Sequence, residues 1–262
     1  MRTAPLALAF TLAAAAVFAA PPEVSHGRIE PLGGGGPLAS RVESIGSGWV
    51  AWSIPARERS GYSCSCSLDG DNFNMRSNDD DVRIAIDHHD VFLHLTDHRV
   101  DRIRVFTPTC HLDASGHTIY WIENVPPPES IAYFHDVART SSSRAREHAL
   151  VALFMQAGAT DSLIDLARNG DHQLRGKALF WLSQLAGEKA AAVLRSAVDD
   201  PDEQIRGKAV FGISQLPNDE SIPLLIELTK NRSAAVRKKA IFWLGQKNDP
   251  RALDAIAEIL QR

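Results

Sequence analysis

The chain has 262 residues, a formal net charge of −4 and a hydrophobic content of 44%. That length holds one or two domains, and the mildly acidic balance gives a nucleic-acid function no compositional support. Charge is unevenly spread: from Pro22 to Ser143, 10 Lys and Arg face 17 Asp and Glu, whereas from Arg144 to Arg262, 17 face 15. Such a change is expected of two regions of different architecture.

Arg2 precedes an apolar run from Leu6 to Ala20, followed by Pro21-Pro22. A positive start, a short apolar core and small residues at a cleavage point (Val17, Ala19) describe a secretory signal peptide over residues 1–19. The run falls short of the ~20 residues of a membrane span, and no later stretch is longer. The expectation is a cleaved leader, no membrane span in the mature chain, and a periplasmic or secreted location. Residues 20–44 contain Gly33-Gly-Gly-Gly36 between Pro31 and Pro37, which predicts a flexible Gly/Pro-rich arm.

Residues 45–125 read as a small antiparallel β-rich domain. Gly48–Ile54 mixes aromatic and β-branched residues and stops at Pro55; Val82–Asp87 alternates; Val91–Thr96 follows a His88-His-Asp90 turn; Val100–Phe106 and His117–Ile122 complete about five strands. Three cysteines fall in this stretch, Cys64, Cys66 and Cys110. After export a disulfide is permitted, and a bridge within Cys-Ser-Cys would be strained. Cys110 is therefore expected to pair with Cys64 or Cys66. His88, His89, His94, His98, His111 and His117 crowd the same region. Gathered in space they could bind Zn²⁺ or Cu²⁺, and a metal-binding or metal-dependent role for this domain is the alternative to the reading below. No pair has the helical spacing of a zincin, so no metal ligands are assigned. Residues 126–143 predict a capping helix, Glu129–Thr140 after Pro126-Pro-Pro128, and a serine junction.

From residue 144 to 262 the chain repeats itself. Leu174–Gln184, Ile205–Gln215 and Val236–Gln246 are three copies of one segment set 31 residues apart, and Ala145–Leu153 is a weaker one. A period in this range means stacked units that cannot bury their apolar faces alone. Each unit reads as two helices, with caps expected at Asn169, Asp200 and Asn231 for the first helix and at Asn218 and Asp249 for the second. The pattern Asp200-Pro-Asp-x-x-Ile-Arg-x-x-Ala-x-x-x-Ile213 resembles HEAT-like repeats of the short bacterial type, close to those of phycobilisome-lyase-like proteins. Lys239-Ala-Ile-Phe-Trp-Leu-Gly-Gln246 is similar to exported bacterial HEAT-repeat proteins. The resemblance implies an α-solenoid of about four helix pairs over 144–262, an α+β chain overall, and a binding role.

Within each copy, positions spaced i, i+4 and i+7 share a helix side. They are Lys177, Trp181 and Gln184; Lys208, Gly212 and Gln215; Lys239, Trp243 and Gln246. Stacking turns them into rows, and solenoids bind through such rows. Two readings stay open: the tryptophans flank a notch at Gly212 and anchor a partner, or they pack between helices. Arg146, Arg175, Arg206 and Arg237 form a further row that suits a structural ladder with acids such as Asp171 and Asp202. No nucleophile elbow, phosphate loop or dinucleotide fingerprint occurs. The sequence thus predicts a non-catalytic envelope scaffold with no cofactor, binding a protein partner through the Lys/Trp/Gln rows.

Overall fold

The computed structural model describes residues 19–61, 65–70, 84–185 and 187–261. The predicted leader therefore lies outside the described residues except for Ala19. Among the described residues ten strands and a helix come first: β1 (Val24–Ser25), β2 (Arg28–Pro31), α1 (Leu38–Glu43), β3 (Gly48–Pro55), β4 (Ser60–Gly61), β5 (Ser65–Ser67), β6 (Ile84–Ala85), β7 (His88–Thr96), β8 (Arg99–Phe106), β9 (His111–Asp113) and β10 (Thr118–Trp121). The main sheet has the order β2-β10-β3-β7-β8. Its centre, β3-β7-β8, is antiparallel, whereas β10 lies parallel to both β2 and β3.

Two expectations change here. Residues 20–44 are not a bare arm: β1, β2 and α1 occupy much of the segment, and β2 is fixed by pairing with β10. The glycines set a break of six residues, 32–37, not the state of their flanks. Likewise His88–Asp90 is strand rather than turn, because it continues the β3 register opposite Pro55–Ser53 and Ser53 Oγ donates to Asp90 at 2.7 Å. The hairpin turn comes later, at Asp97-His98. Their φ values of 50° and 60° give the left-handed pair that matches strand twist in a two-residue loop.

Alternate side chains leave a strand on opposite faces, and this sheet buries both. Val50, Trp52, Ile54, Val91, Leu93 and Leu95 face the helices; Trp49, Ala51, Phe92, Ile119 and Trp121 form a second core with Leu68 and Leu112. That is why β3 reads as a nearly unbroken apolar run.

The helices are α2 (Pro127–Thr140), α3 (Ser143–Met155), α4 (Thr160–Asn169), α5 (His172–Ser183), α6 (Glu188–Ala197), α7 (Glu203–Gln215), α8 (Asn218–Leu228), α9 (Ala234–Gly245) and α10 (Pro250–Leu260). From α3 onward they form four pairs. The first helices pack more closely on one another, α5 on α7 and α7 on α9, than the second helices do, α4 on α6 or α8 on α10. The row α3-α5-α7-α9 is therefore the inner one.

The caps of α5, α7 and α9 sit two residues later than expected, and Asn218, expected to cap α8, is instead its first residue after Pro217. Asp171, Asp202 and Ser233 accept from Leu174, Ile205 and Val236 backbone N–H groups. Asp200 and Asn231 instead accept from the N–H of Asp202 and Ser233, forming turns that lead into the caps. Asn169 ends α4 and donates to Asp165. Asp249 caps α10 as expected.

One core joins sheet to solenoid. Trp52 stacks on Phe134 of α2 at 5.4 Å, and its Nε1–H donates to Ser130 Oγ. Ser130 donates to Gln156 Oε1, and Gln156 Nε2 donates to the Pro127 carbonyl, all buried. Beside them the Arg57 guanidinium donates to the carbonyls of Leu153, Phe154 and Gln156 at the end of α3. These are the carbonyls a helix leaves unpaired.

Candidate functional site

Three of the eight expected binding residues meet in one place. A groove of about 500 Å³ opens along α3, α5 and α7, and Lys177, Trp181 and Lys208 line it with Glu147, Phe180 and Phe211. Phe180 is 41% exposed and Phe242, its equivalent in the last pair, 56%. Water contact on this scale is unusual for a large aromatic in a folded core.

The aromatic rings continue from pair to pair. Trp181 lies 4.8 Å from Phe154 and 5.2 Å from Phe180; Phe180 stacks with Phe211 at 6.5 Å and 5°; Phe211 meets Trp243 at 5.2 Å, and Trp243 meets Phe242 at 5.0 Å. Of the two readings of the tryptophans, packing between helices is the one their ring contacts agree with. The indoles are half-buried between neighbouring helices, and the phenylalanine beside each carries the exposed edge. The phenylalanine row escaped the sequence reading, although Phe180, Phe211 and Phe242 recur at the repeat period.

The notch expected at Gly212 does not open. A side chain there would come within 2.6 Å of Leu194 and 3.3 Å of Ser183. Trp181 and Trp243 lean toward the preceding pair, and at Gly212 that direction is already filled by α6. The glutamines also leave the groove. Gln184 and Gln246 are C-cap residues, and Gln184 and Gln215 donate to the hydroxyls of Ser183 and Ser214.

The lysines are set by what precedes them. Lys177 pairs with Glu147 of α3. Gly176 and Gly207 occupy the place of Glu147 in the next two pairs, and Lys208 and Lys239 lie across them; a Cβ on Gly207 would sit 2.9 Å from Lys239 Nζ. Among the described residues neither Lys208 nor Lys239 has an acidic partner. At the sheet end of the groove, His148 Nδ1 accepts from the Ile103 N–H at 3.3 Å. Burial and then the charges of Arg104 and Arg144 hold its pKa below the usual range.

The arginine row is structural. Arg146 pairs with Asp171 at 2.5 Å and Arg175 with Asp200. Arg206 and Arg237 donate to the carbonyls of Asp200 and Pro201, and of Asn231 and Arg232, just ahead of their own helices. Asp202 pairs with His172 rather than with an arginine.

The histidines of the sheet region disperse. His94 meets Asp101, His98 the Glu43 carbonyl, and His117 Asp69. Among the described residues no group of three or more His, Cys, Asp or Glu is placed to hold a metal. His89 and Asp90 are buried. Burial, then the neighbouring His88, lowers the His89 pKa to about 4. Burial raises Asp90 to about 6 against the hydrogen bond from Ser53. Cys110 is buried and Cys66 partly buried against the second core; Cys64 lies outside the described residues.

Residues 160–234 and 191–262 match the family model of HEAT repeats. No curated protein matches the sequence. Among solved structures, human deoxyhypusine hydroxylase in complex with glycerol is similar at 18% identity and a TM-score of 0.36, over 49% of this chain and 43% of that one. A designed armadillo repeat protein in complex with a (KR)4 peptide is similar at 17% identity and a TM-score of 0.32, over 48% of this chain and 64% of that one. This chain spans less than two thirds of either. Among the described residues no helix is long and apolar enough to cross a membrane.

Proposed function

We propose that this chain, whose residues 160–262 match the HEAT-repeat family model, is a non-catalytic scaffold of the cell envelope that binds a protein partner along its inner helix row. HEAT-type solenoids present continuous surfaces of this kind. The supporting observation is the groove in which Lys177, Trp181 and Lys208 converge beside the exposed Phe180. Lys239 and Trp243 extend the same surface, while Gln184, Gln215 and Gln246 belong to helix ends. The sheet region braces α2 through Trp52 and the first helix pair through Arg57, with Gln156 bonded between α2 and α3. Placement in the envelope rests on the leader-like pattern of residues 1–19, and the disulfide proposed for Cys110 would suit an oxidising compartment.

Two experiments test the reading. A Phe180→Ser/Phe211→Ser variant is compared with a Glu220→Lys/Asp254→Lys variant on the second-helix row, both checked for native circular dichroism. Loss of a partner's affinity by about tenfold or more in the first alone supports the inner face, since interface aromatics carry ~1–2 kcal/mol or more each. Equal loss in both, or loss only in the second, contradicts it. Cell fractionation with N-terminal sequencing tests location: a mature chain beginning near Ala20 in the envelope supports it, and an intact Met1 in the cytoplasm overturns it.

A further inference from the structure

We infer that the occupant of the groove is an extended, acidic peptide segment with apolar side chains at alternate positions. This inference rests on the inner-face reading above and names the chemistry of the partner.

The helix rows differ sharply in charge. The inner helices α3, α5, α7 and α9 carry nine Lys and Arg against Glu147 and Glu203 alone. The second helices α4, α6, α8 and α10 carry four Lys and Arg against eight Asp and Glu. The inner arginines of the repeated row are occupied by carboxylates and carbonyls of the solenoid itself. The lysines are not occupied in the same way. Lys177 is neutralised by Glu147, but Gly176 and Gly207 replace that glutamate further along, so Lys208 and Lys239 lie over bare helix backbone with no acidic partner among the described residues. Unpaired positive charge therefore grows from the sheet end toward the last pair, where Lys238 and Lys239 adjoin. A surface of one sign recruits the opposite sign and rejects its own.

The spacing of the aromatics selects the conformation. Alternate side chains on one side of an extended chain stand about 6.8 Å apart. The Phe180 and Phe211 rings are 6.5 Å apart and nearly parallel. Two apolar side chains at i and i+2 of an extended segment would meet successive rings. Flanking carboxylates would then lie within reach of Lys208 and Lys239, whose long flexible stems let the ammonium follow its partner.

The test uses the full chain and a fluorescein-labelled peptide, Glu-Glu-Phe-Glu-Phe-Glu-Glu, read by anisotropy. Its controls replace every Glu by Gln, every Glu by Lys, or both Phe by Ser. The expected result is binding of the Glu/Phe peptide about tenfold or more tighter than the Gln/Phe peptide, weakening as salt rises because the contacts are screened. Lys208→Glu/Lys239→Glu should reverse the preference toward the Lys/Phe peptide. Gly176→Ala, which changes no charge but displaces Lys208, should weaken the Glu/Phe peptide several-fold. Equal binding of the Glu, Gln and Lys peptides, with all lost in Phe180→Ser/Phe211→Ser, would overturn the acidic assignment and leave the inner-face reading standing. Binding of none of them, with partner affinity unchanged by those phenylalanine changes, would remove both. Tighter binding of a single-stranded oligo-dT of similar length would also overturn the inference, since stacked aromatics beside lysines suit single strands too.

Discussion

The two halves of this chain bury their apolar residues by different rules. In the sheet half, nearly every side chain of β3 is inside, because one face packs on helices and the other on a second layer of strands. In the repeat half each inner helix buries one stripe, such as Leu174, Ala178 and Leu182, and leaves the flank with Phe180 or Phe242 in water. A surface that stays apolar without being needed by the core is available to a partner. The sheet half offers no such aromatic surface among its described residues. On the proposed function the junction supplies stability and the inner row recognition, and variants can break that division.

The largest effect is expected at the junction. Trp52 is fully buried, stacks on Phe134 and starts the Ser130–Gln156 chain. Trp52→Ala should cost about 4 kcal/mol, and strand and helix signals should melt together in one transition. Separate melting of sheet and solenoid would show that the shared core does not couple them.

Acid should separate two buried neighbours in the sheet half. His89 titrates at about 4 when folded and about 6.5 unfolded. Between those values the unfolded chain holds the extra proton, so stability falls as pH drops. Asp90 titrates at about 6 when folded and about 3.9 unfolded. There the folded chain holds the extra proton, so stability falls as pH rises. The slopes oppose each other between pH 4 and 6. Asp90→Asn keeps an acceptor for Ser53 and removes only the second slope. Denaturation from pH 6 to pH 4 should show the variant losing about 1.4 kcal/mol per pH unit more than the parent, ~3 kcal/mol over the window. Parallel curves would contradict the assignment.

Gly212→Ala should cost about 1–3 kcal/mol, the range for overpacking, because the added methyl meets Leu194 and Ser183. Urea midpoints measure it, and a neutral result would reopen the notch. Phe180→Ser should change stability least, by under ~0.5 kcal/mol, as expected at an exposed position. A thermal loss of many degrees would return this ring to the core and weaken the case for recognition.

The repeats were legible because a 31-residue period, buried stripes and recurring arginines are local signals. The caps were misplaced by two residues because Asp200-Pro-Asp202 offers two oxygens, and only the backbone path decides which one meets the first free N–H. The phenylalanines were overlooked because an aromatic at helical spacing reads as core, and exposure depends on the neighbouring pair. What joins the halves was not legible at all. Gln156 looks like a polar residue closing a helix, and its burial arises from Trp52 and Ser130, far away in the chain. The parallel pairing of β2 with β10 is equally non-local, so the glycines beside it suggested an arm.

Contact of the partner with the inner row is what the proposed function requires. Photoreactive p-benzoylphenylalanine placed at Phe180, Phe242, Glu220 or Asp254 in living cells tests it most directly. The account predicts cross-linked adducts from positions 180 and 242 and none from 220 and 254. Adducts from 220 or 254, with 180 and 242 silent, would contradict it.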